Sequence, residues 1–498
     1  MNVELKSDWH RRAEALKLPS KAFIDGAYVD ALSGETFDCV YPGSGKVIAS
    51  VAACGPADVD RAVRSARKAF ESGAWSRTAP TERKKVLLRF SELLLENREE
   101  LGLLETLNVG KPITNSTNGD IPSAANCIAW YAEAIDKVYG EVAATSDDMT
   151  TLVVREPVGI VAAVVPWNYP LSMAAWKLGP ALATGNSVIL KPAEQSPFTA
   201  LRIAQLAIDA GLPAGVLNVL PGLGHVTGKA LGLHMDVDCV GFTGSTEVGR
   251  YFMQYSGQSN IKRIGLELGG KSPQVVLADC PDLDVAARTV AAGIFSNTGQ
   301  VCNAGSRLIV EDKIKDKFLE KVLAHANDLK PADPLDPSTK LGSIVSEEQL
   351  NRVMSYIEQG LSGGARIIAG GNRVAQETGG FFVEPTVFDG VANNMKIAQE
   401  EIFGPVLSAI TVRDFDEAMS VANDTIYGLA AGVWTGDLKK AHRAAKAIKA
   451  GVVWVNCFDR GSMSVPFGGF KQSGFGRDKS LHAMDKYSDL KAIWINHG

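Results

Sequence analysis

The chain is poor in paired cysteines, in long apolar runs and in net charge, and each shortage removes a class of protein. Its seven cysteines, at positions 39, 54, 127, 239, 280, 302 and 457, are odd in number and scattered. None falls into a CxxC or Cys/His spacing, so neither a disulfide framework nor a zinc site is expected, and no other metal site is indicated. They read as reduced thiols, which places the protein in a reducing, cytoplasmic compartment. Nothing approaches the ~18 uninterrupted apolar residues of a membrane span. The N-terminus has no apolar core, and its Glu4, Asp8 and Glu14 count against a targeting peptide. With 51 Lys plus Arg against 56 Asp plus Glu, the net charge of -5 offers no global positive field to nucleic acid or an anionic membrane. No repeat of fixed period and no low-complexity linker is visible.

What is there is a globular composition, 46% hydrophobic and 21% charged over 498 residues. At roughly 100 to 200 residues per domain this suits two to four domains. Residues 21–51 read as short strands, with Asp25-Gly26 a hairpin signal. Val59, Val63, Ala66 and Phe70 share one helical face, and Val86, Phe90, Leu93 and Leu94 another, in a helix opening at Pro80. From residue 152 the texture changes to short apolar runs at 158–166, 186–192, 216–221 and 238–245, separated by helical patterns such as 196–210. A second series runs through 271–277, 306–311, 365–371, 406–412, 429–435 and 451–456. Strand and helix in alternation imply two parallel sheets, each with both faces covered, and a boundary near Gly269-Gly270.

FTGSTEVG (242–249) follows a strand-like run and opens a helix-like one, a context in which backbone N-H groups bind phosphate. Its spacing from Gly244 to Gly249 is not GxGxxG. Lys191 and Glu194 in KPAE stand just past a strand, where a doubly wound sheet binds ligands and where they would suit ribose hydroxyls; a solvated turn is the alternative. Cys302 differs from the other cysteines. It lies on a polar, glycine-flanked segment, NTGQVCNAGSR, where nearby N-H dipoles would favour its thiolate. Glu267, one carboxylate between leucines, offers a general base whose pKa desolvation would raise. Asn168, in PWNYP, offers an oxyanion donor at the same sheet edge.

The blocks PWNYP, KPAE, FTGSTEVG, LELGGKSP, GQVCNAGSR, EEIFGP and PFGGFKQSG, in that order over about residues 20 to 495, resemble the hydrolytic, NAD(P)-dependent aldehyde dehydrogenase superfamily. The resemblance implies an α/β fold of two doubly wound parallel-sheet domains and a small β oligomerisation arm. Residues 1–137 and 159–268 would bind NAD, 269–478 would form the catalytic domain, and 138–158 with 479–498 the arm. Cys302 would be the nucleophile, Glu267 the base, and Asn168 with the Cys302 N-H the oxyanion hole. Trp167, Lys191, Glu194, Gly244, Ser245, Gly249, Leu268, Gly269, Glu401 and Phe403 would hold the cofactor. Glu194 favours NAD by repelling a 2'-phosphate, with NADP the second candidate. An aldehyde would become its acid through a thioester on Cys302.

The resemblance further implies a substrate tunnel walled by Asp120, Tyr169, Met173, Trp176, Val301, Asn303, Asp459 and Phe467. Aromatics and acids at its mouth would suit a cationic ω-amino or guanidino aldehyde. The C-terminal stretch from VPFGGFKQSGFGRDKS onward is similar to the bacterial branch acting on γ-aminobutyraldehyde, its γ-glutamyl derivative and 4-guanidinobutyraldehyde in polyamine and arginine breakdown. Broad aldehyde use is the alternative; a non-catalytic descendant and an acyl-CoA-forming enzyme are the rivals. The apolar strands at 150–159 and 491–496 would pair protomers into a dimer or tetramer.

Overall fold

The computed structural model describes residues 8–498, so the part of the N-terminal reading that rests on residues 1–7 lies outside it. Asp25 (φ 55°) and Gly26 (φ 79°) turn the hairpin between Ala22–Ile24 and Ala27–Val29, the left-handed pair that matches the twist of two antiparallel strands. The helix Pro56–Ser72 opens with Asp58 accepting the Gly55 N-H at 2.9 Å, and it buries Val59, Ala62, Val63 and Ala66. Pro80–Glu96 likewise buries Leu87, Phe90, Leu93 and Leu94. Such stripes hold a helix to a core at about 1.5 to 3 kcal/mol per fully buried large side chain.

The first sheet has eight strands, and its parallel centre is ordered Leu217–Val219, Ser187–Lys191, Ile160–Val164, Cys239–Thr243, Arg263–Glu267. Chain order therefore reverses between Ile160–Val164 and Cys239–Thr243, and a crevice opens at the carboxyl ends of that pair. The second sheet has seven strands, ordered Arg366–Ala369, Thr386–Asp389, Val406–Val412, Arg307–Glu311, Pro273–Val276, Ala430–Trp434, Val452–Val455. The chain passes from one sheet to the other at 268–272.

The parallel sheets were legible from apolar runs, but both carry antiparallel edges. Arg366–Ala369, expected as one more parallel strand, runs antiparallel to Thr386–Asp389 with an irregularity after Ile367. Gly474–Phe475 adds antiparallel to Arg263–Glu267, putting Gly474 opposite Glu267. Glycine-rich flanks hide such short strands from a search for apolar runs. A third sheet joins Glu141–Ala143, Met149–Pro157 and Ser488–Asn496. Here the two stretches that looked unpartnered pair with each other, Ser488 to Pro157 through Asn496 to Met149, leaving Val142, Leu490, Trp494 and Ile495 exposed.

Candidate active site

Three loops at strand ends meet over the crevice. The first follows Ile160–Val164 and carries Trp167 and Asn168; the second follows Cys239–Thr243 and carries Gly244 and Ser245; the third follows Arg263–Glu267 and carries Leu268 and Gly269. The segment before Arg307–Glu311 supplies Cys302. Together they wall a cavity of about 800 Å³ that also takes in Glu401 and Phe403 on one side and Asp120, Tyr169, Met173, Trp176, Val301, Asn303, Asp459 and Phe467 on the other. Lys191, Glu194 and Gly249 do not reach this wall. No helix among the described residues is long and apolar enough to cross a membrane.

Asn168 is buried and donates one amide hydrogen to the Gln300 carbonyl at 3.0 Å, which leaves its second hydrogen for a ligand. Asn297 ties the two segments together by donating to the carbonyls of both Asn168 and Gln300, each at 3.1 Å. Gln300 in turn donates to Ser343 O and accepts the Val345 N-H at 2.9 Å. Asn297 (φ 48°) and Thr298 (φ 55°) both adopt the left-handed conformation, strained backbone of the kind found beside functional groups.

Cys302 is half-buried on the cavity wall. Burial pushes its thiol up to about 12, with Glu401, Glu267 and Asp459 adding to the rise and only a backbone hydrogen bond at Asn303 opposing it. The expectation that N-H dipoles would favour the thiolate is overturned: in the free site lost hydration and three carboxylates outweigh one backbone dipole. Glu267 follows its expectation. Both its oxygens are buried without a hydrogen-bond partner. Burial first, then the charge of Asp478, holds its carboxyl well above the usual range, against the pull of Lys177, Lys486 and Arg477. Behind it Asp478 is wholly buried between the ammonium groups of Lys177 and Lys486.

The cofactor side passes a simple test of fit for a dinucleotide. Ser245 caps the helix Thr246–Gln258 by accepting the Val248 N-H at 3.2 Å, so the first-turn N-H groups face the cavity end of that helix, where a diphosphate is stabilised. Beside it the buried Thr243 hydroxyl lacks any partner. Glu401 accepts the Gly270 N-H at 3.1 Å, and burial raises its carboxyl to about 7. It fits because Gly269 is bare: a Cβ there would stand 2.2 Å from Glu401 Oε2. Trp167 and Phe403 meet edge to face at 5.2 Å. Lys191 bonds Glu194 at 3.2 Å past the neighbouring strand. Burial opposes charge on Glu194, yet Lys191 and backbone N-H groups leave its carboxyl below the usual range. Gly249, expected in the phosphate turn, is instead buried within the helix, where a Cβ would stand 2.8 Å from the Leu268 side chain.

On the aldehyde side the acids are not the free charges that the sequence suggested. Asp120 is paired with the buried Lys111, whose ammonium also lies 3.6 Å from the centre of the Tyr169 ring. Asp459 accepts from Asn303 at 2.8 Å. Its carboxyl is raised by burial among the tunnel walls. The faces of Trp176 and Phe467 already receive a cation of the protein's own, Lys479, at 4.5 and 5.6 Å. Sequence reasoning missed Lys111, Lys177, Gln300, Asp478, Lys479 and Lys486. A signal existed for Lys177, the one charge in the otherwise apolar helix Pro170–Ala183, since such a lysine is held inside only by a counter-ion.

The aldehyde dehydrogenase family model matches residues 28–493. The NADP/NAD-dependent aldehyde dehydrogenase PuuC of Escherichia coli is 50% identical over 496 residues, covering 100% of this chain and 99% of its own. A solved indole-3-acetaldehyde dehydrogenase in complex with NAD+ is 61% identical, superposes with a TM-score of 0.98 and covers 98% of this chain and 99% of its own. The γ-glutamyl-γ-aminobutyraldehyde dehydrogenase structure from Burkholderia cenocepacia is 59% identical with a TM-score of 0.97, each chain covered at 99%. The chain belongs to the aldehyde dehydrogenase family. It is an oxidoreductase of aldehydes that uses a nicotinamide cofactor, NAD(P).

Proposed function

We propose that Cys302 is the nucleophile, Asn168 with the Cys302 N-H the oxyanion hole, and Glu267 the base in oxidation of a nitrogen-bearing aldehyde to its acid. What carries the reading is that one cavity wall holds these three groups together with Glu401 and Phe403. The Cys302 thiolate adds to the aldehyde carbon, and the new alkoxide is met by the free Asn168 hydrogen and a backbone N-H. Trp167, Gly244, Ser245, Leu268, Gly269, Glu401 and Phe403 would hold NAD, which would accept the hydride that leaves the adduct carbon as the thioester forms. Glu267 takes a proton from the water whose oxygen attacks the thioester carbon; the Cys302 sulfur departs and the acid is released. A carboxyl raised by burial suits proton transfer near neutral pH.

The substrate branch is ω-amino and guanidino aldehydes of polyamine and arginine breakdown with their N-acyl forms, supported by likeness to a γ-glutamyl-γ-aminobutyraldehyde dehydrogenase. We read residues 8–137 and 159–268 as the cofactor domain, 269–478 as the catalytic domain, and 138–158 with 479–498 as an arm. The exposed Val142, Leu490, Trp494 and Ile495 suit a dimer or tetramer, and a cytoplasmic site suits unpaired thiols. NADH formation with wild type and Cys302→Ala tests the reading. It expects activity only in wild type, no acyl-CoA on adding coenzyme A, and at least one nitrogen-bearing aldehyde with a higher kcat/KM than an alkyl aldehyde of equal length. Wild-type turnover undiminished in Cys302→Ala would reject it.

A further inference from the structure

Asp478 and Lys479 are neighbours in the chain that serve opposite sides of the site. Phe467 and Asp478 exchange backbone hydrogen bonds at 2.8 and 2.7 Å, which pins this strand-like crossing beside the tunnel loop. Asp478 turns inward to Lys177 and Lys486. Lys479 (φ 57°) and Ser480 (φ 50°, ψ 179°) then both take positive φ, and the Ser480 N-H donates to Met463 O at 2.7 Å. Two consecutive residues with side chains in that region are sterically costly, and such strain persists where a side chain must be aimed. What it aims is the Lys479 ammonium, which lines the cavity over Trp176 and Phe467.

That ammonium forms neither an ion pair nor a hydrogen bond among the described residues. It lies against the loop at Gly461, where a Cβ would stand 3.3 Å from Nζ. Asp459 attracts it from beyond ion-pair distance while bonded to Asn303, and Asp120 is committed to Lys111. Arg460 lines the same mouth. On the aldehyde side, then, Asp120 is neutralised by Lys111, Asp459 is held by a neutral amide and meets the Lys479 charge only at a distance, and Arg460 adds a second positive charge at the mouth.

We propose that Lys479 sets the charge preference of the tunnel, favouring aldehydes whose tail carries a carboxylate or an amide carbonyl over those ending in a free cation. A cationic tail seated on Trp176 and Phe467 would meet a like charge already there, whereas an anionic or acceptor tail would gain a charge-assisted hydrogen bond. Within the nitrogen-bearing branch this ranks N-acylated members ahead of free ω-ammonium ones. The inference rests on the Cys302 reading of the site.

The test is kcat/KM for length-matched aldehydes ending in carboxylate, methyl and quaternary ammonium, the last unable to cyclise onto its own aldehyde, in wild type, Lys479→Met and Lys479→Arg. Lys479→Met should lower the carboxylate-to-ammonium ratio by about tenfold or more, while Lys479→Arg keeps it within about threefold. A purely structural role would depress all three substrates alike and leave the ratio within about twofold of wild type, which would overturn the proposal. Should Lys479→Met not fold, the wild-type ratio itself decides: it should fall between about 20 mM and 0.5 M salt, and a salt-independent ratio overturns the proposal. Wild type without NADH formation from any of the three would instead reject the Cys302 reading.

Discussion

Gly468 lies against Glu267 so closely that a Cβ on it would stand 2.7 Å from Glu267 Oε1. The same Cβ would meet Gly476 O at 2.8 Å and Arg477 Cδ at 2.9 Å, so a methyl there could not shift aside and the carboxylate would have to move. The glycine belongs to the PFGGF block, and its bareness is what admits the base.

Gly468→Ala should therefore slow thioester hydrolysis more than hydride transfer. We expect kcat to fall by about tenfold to a hundredfold, with a rapid first NADH equivalent still formed. Stopped-flow absorbance at 340 nm separates the two phases; a first turnover slowed as much as the steady state would contradict this account.

Cys302 should be a reluctant thiolate in the cofactor-free protein. With its thiol near 12, the fraction ionised rises about tenfold per pH unit across the neutral and mildly alkaline range. Iodoacetamide modification of Cys302, followed by peptide mass spectrometry, should climb with that slope from about pH 7 to about pH 9. A plateau near pH 8.5, the value for an unperturbed thiol, would show that burial does not control it.

Asp478 should be a principal electrostatic anchor of the fold behind the site. Asp478→Asn leaves Lys177 and Lys486 buried without a counter-charge, a loss of roughly 3 to 5 kcal/mol if unfolding is reversible. Burial opposes ionisation of Asp478, but the two lysines win and leave its carboxyl below the usual range. Its stabilisation is thus fully present above the unfolded value of about 3.9 and is lost as pH falls through the lower folded value. Denaturant titrations should show the wild-type advantage shrinking in acid; an Asn variant of equal stability at pH 7 would contradict the assignment.

Much of this was legible in the chain because the strands of a doubly covered parallel sheet are continuous apolar runs, and the runs at 158–166, 186–192 and 238–245 contain three of them. Cys302, Glu267 and Asn168 stood out because reactive residue types fell at element ends. Buried charges were missed where a partner came from far along the sequence. Lys177 reaches Asp478 across 301 positions. The 111–120 pair is close in sequence, but the turn at 116–120 that brings Asp120 back to Lys111 has no hydrophobic period to announce it. Edge strands as short as Gly474–Phe475 bury too little to leave a pattern.

The central claim is that Cys302 carries the acyl group and Glu267 releases it, and one experiment separates the two roles. Glu267→Gln mixed with excess aldehyde and NAD should give a burst of one NADH per active site, then little further turnover, with the acyl mass found on Cys302 after acid quench. Steady turnover in Glu267→Gln without a burst, or acyl mass on any other residue, would contradict the account.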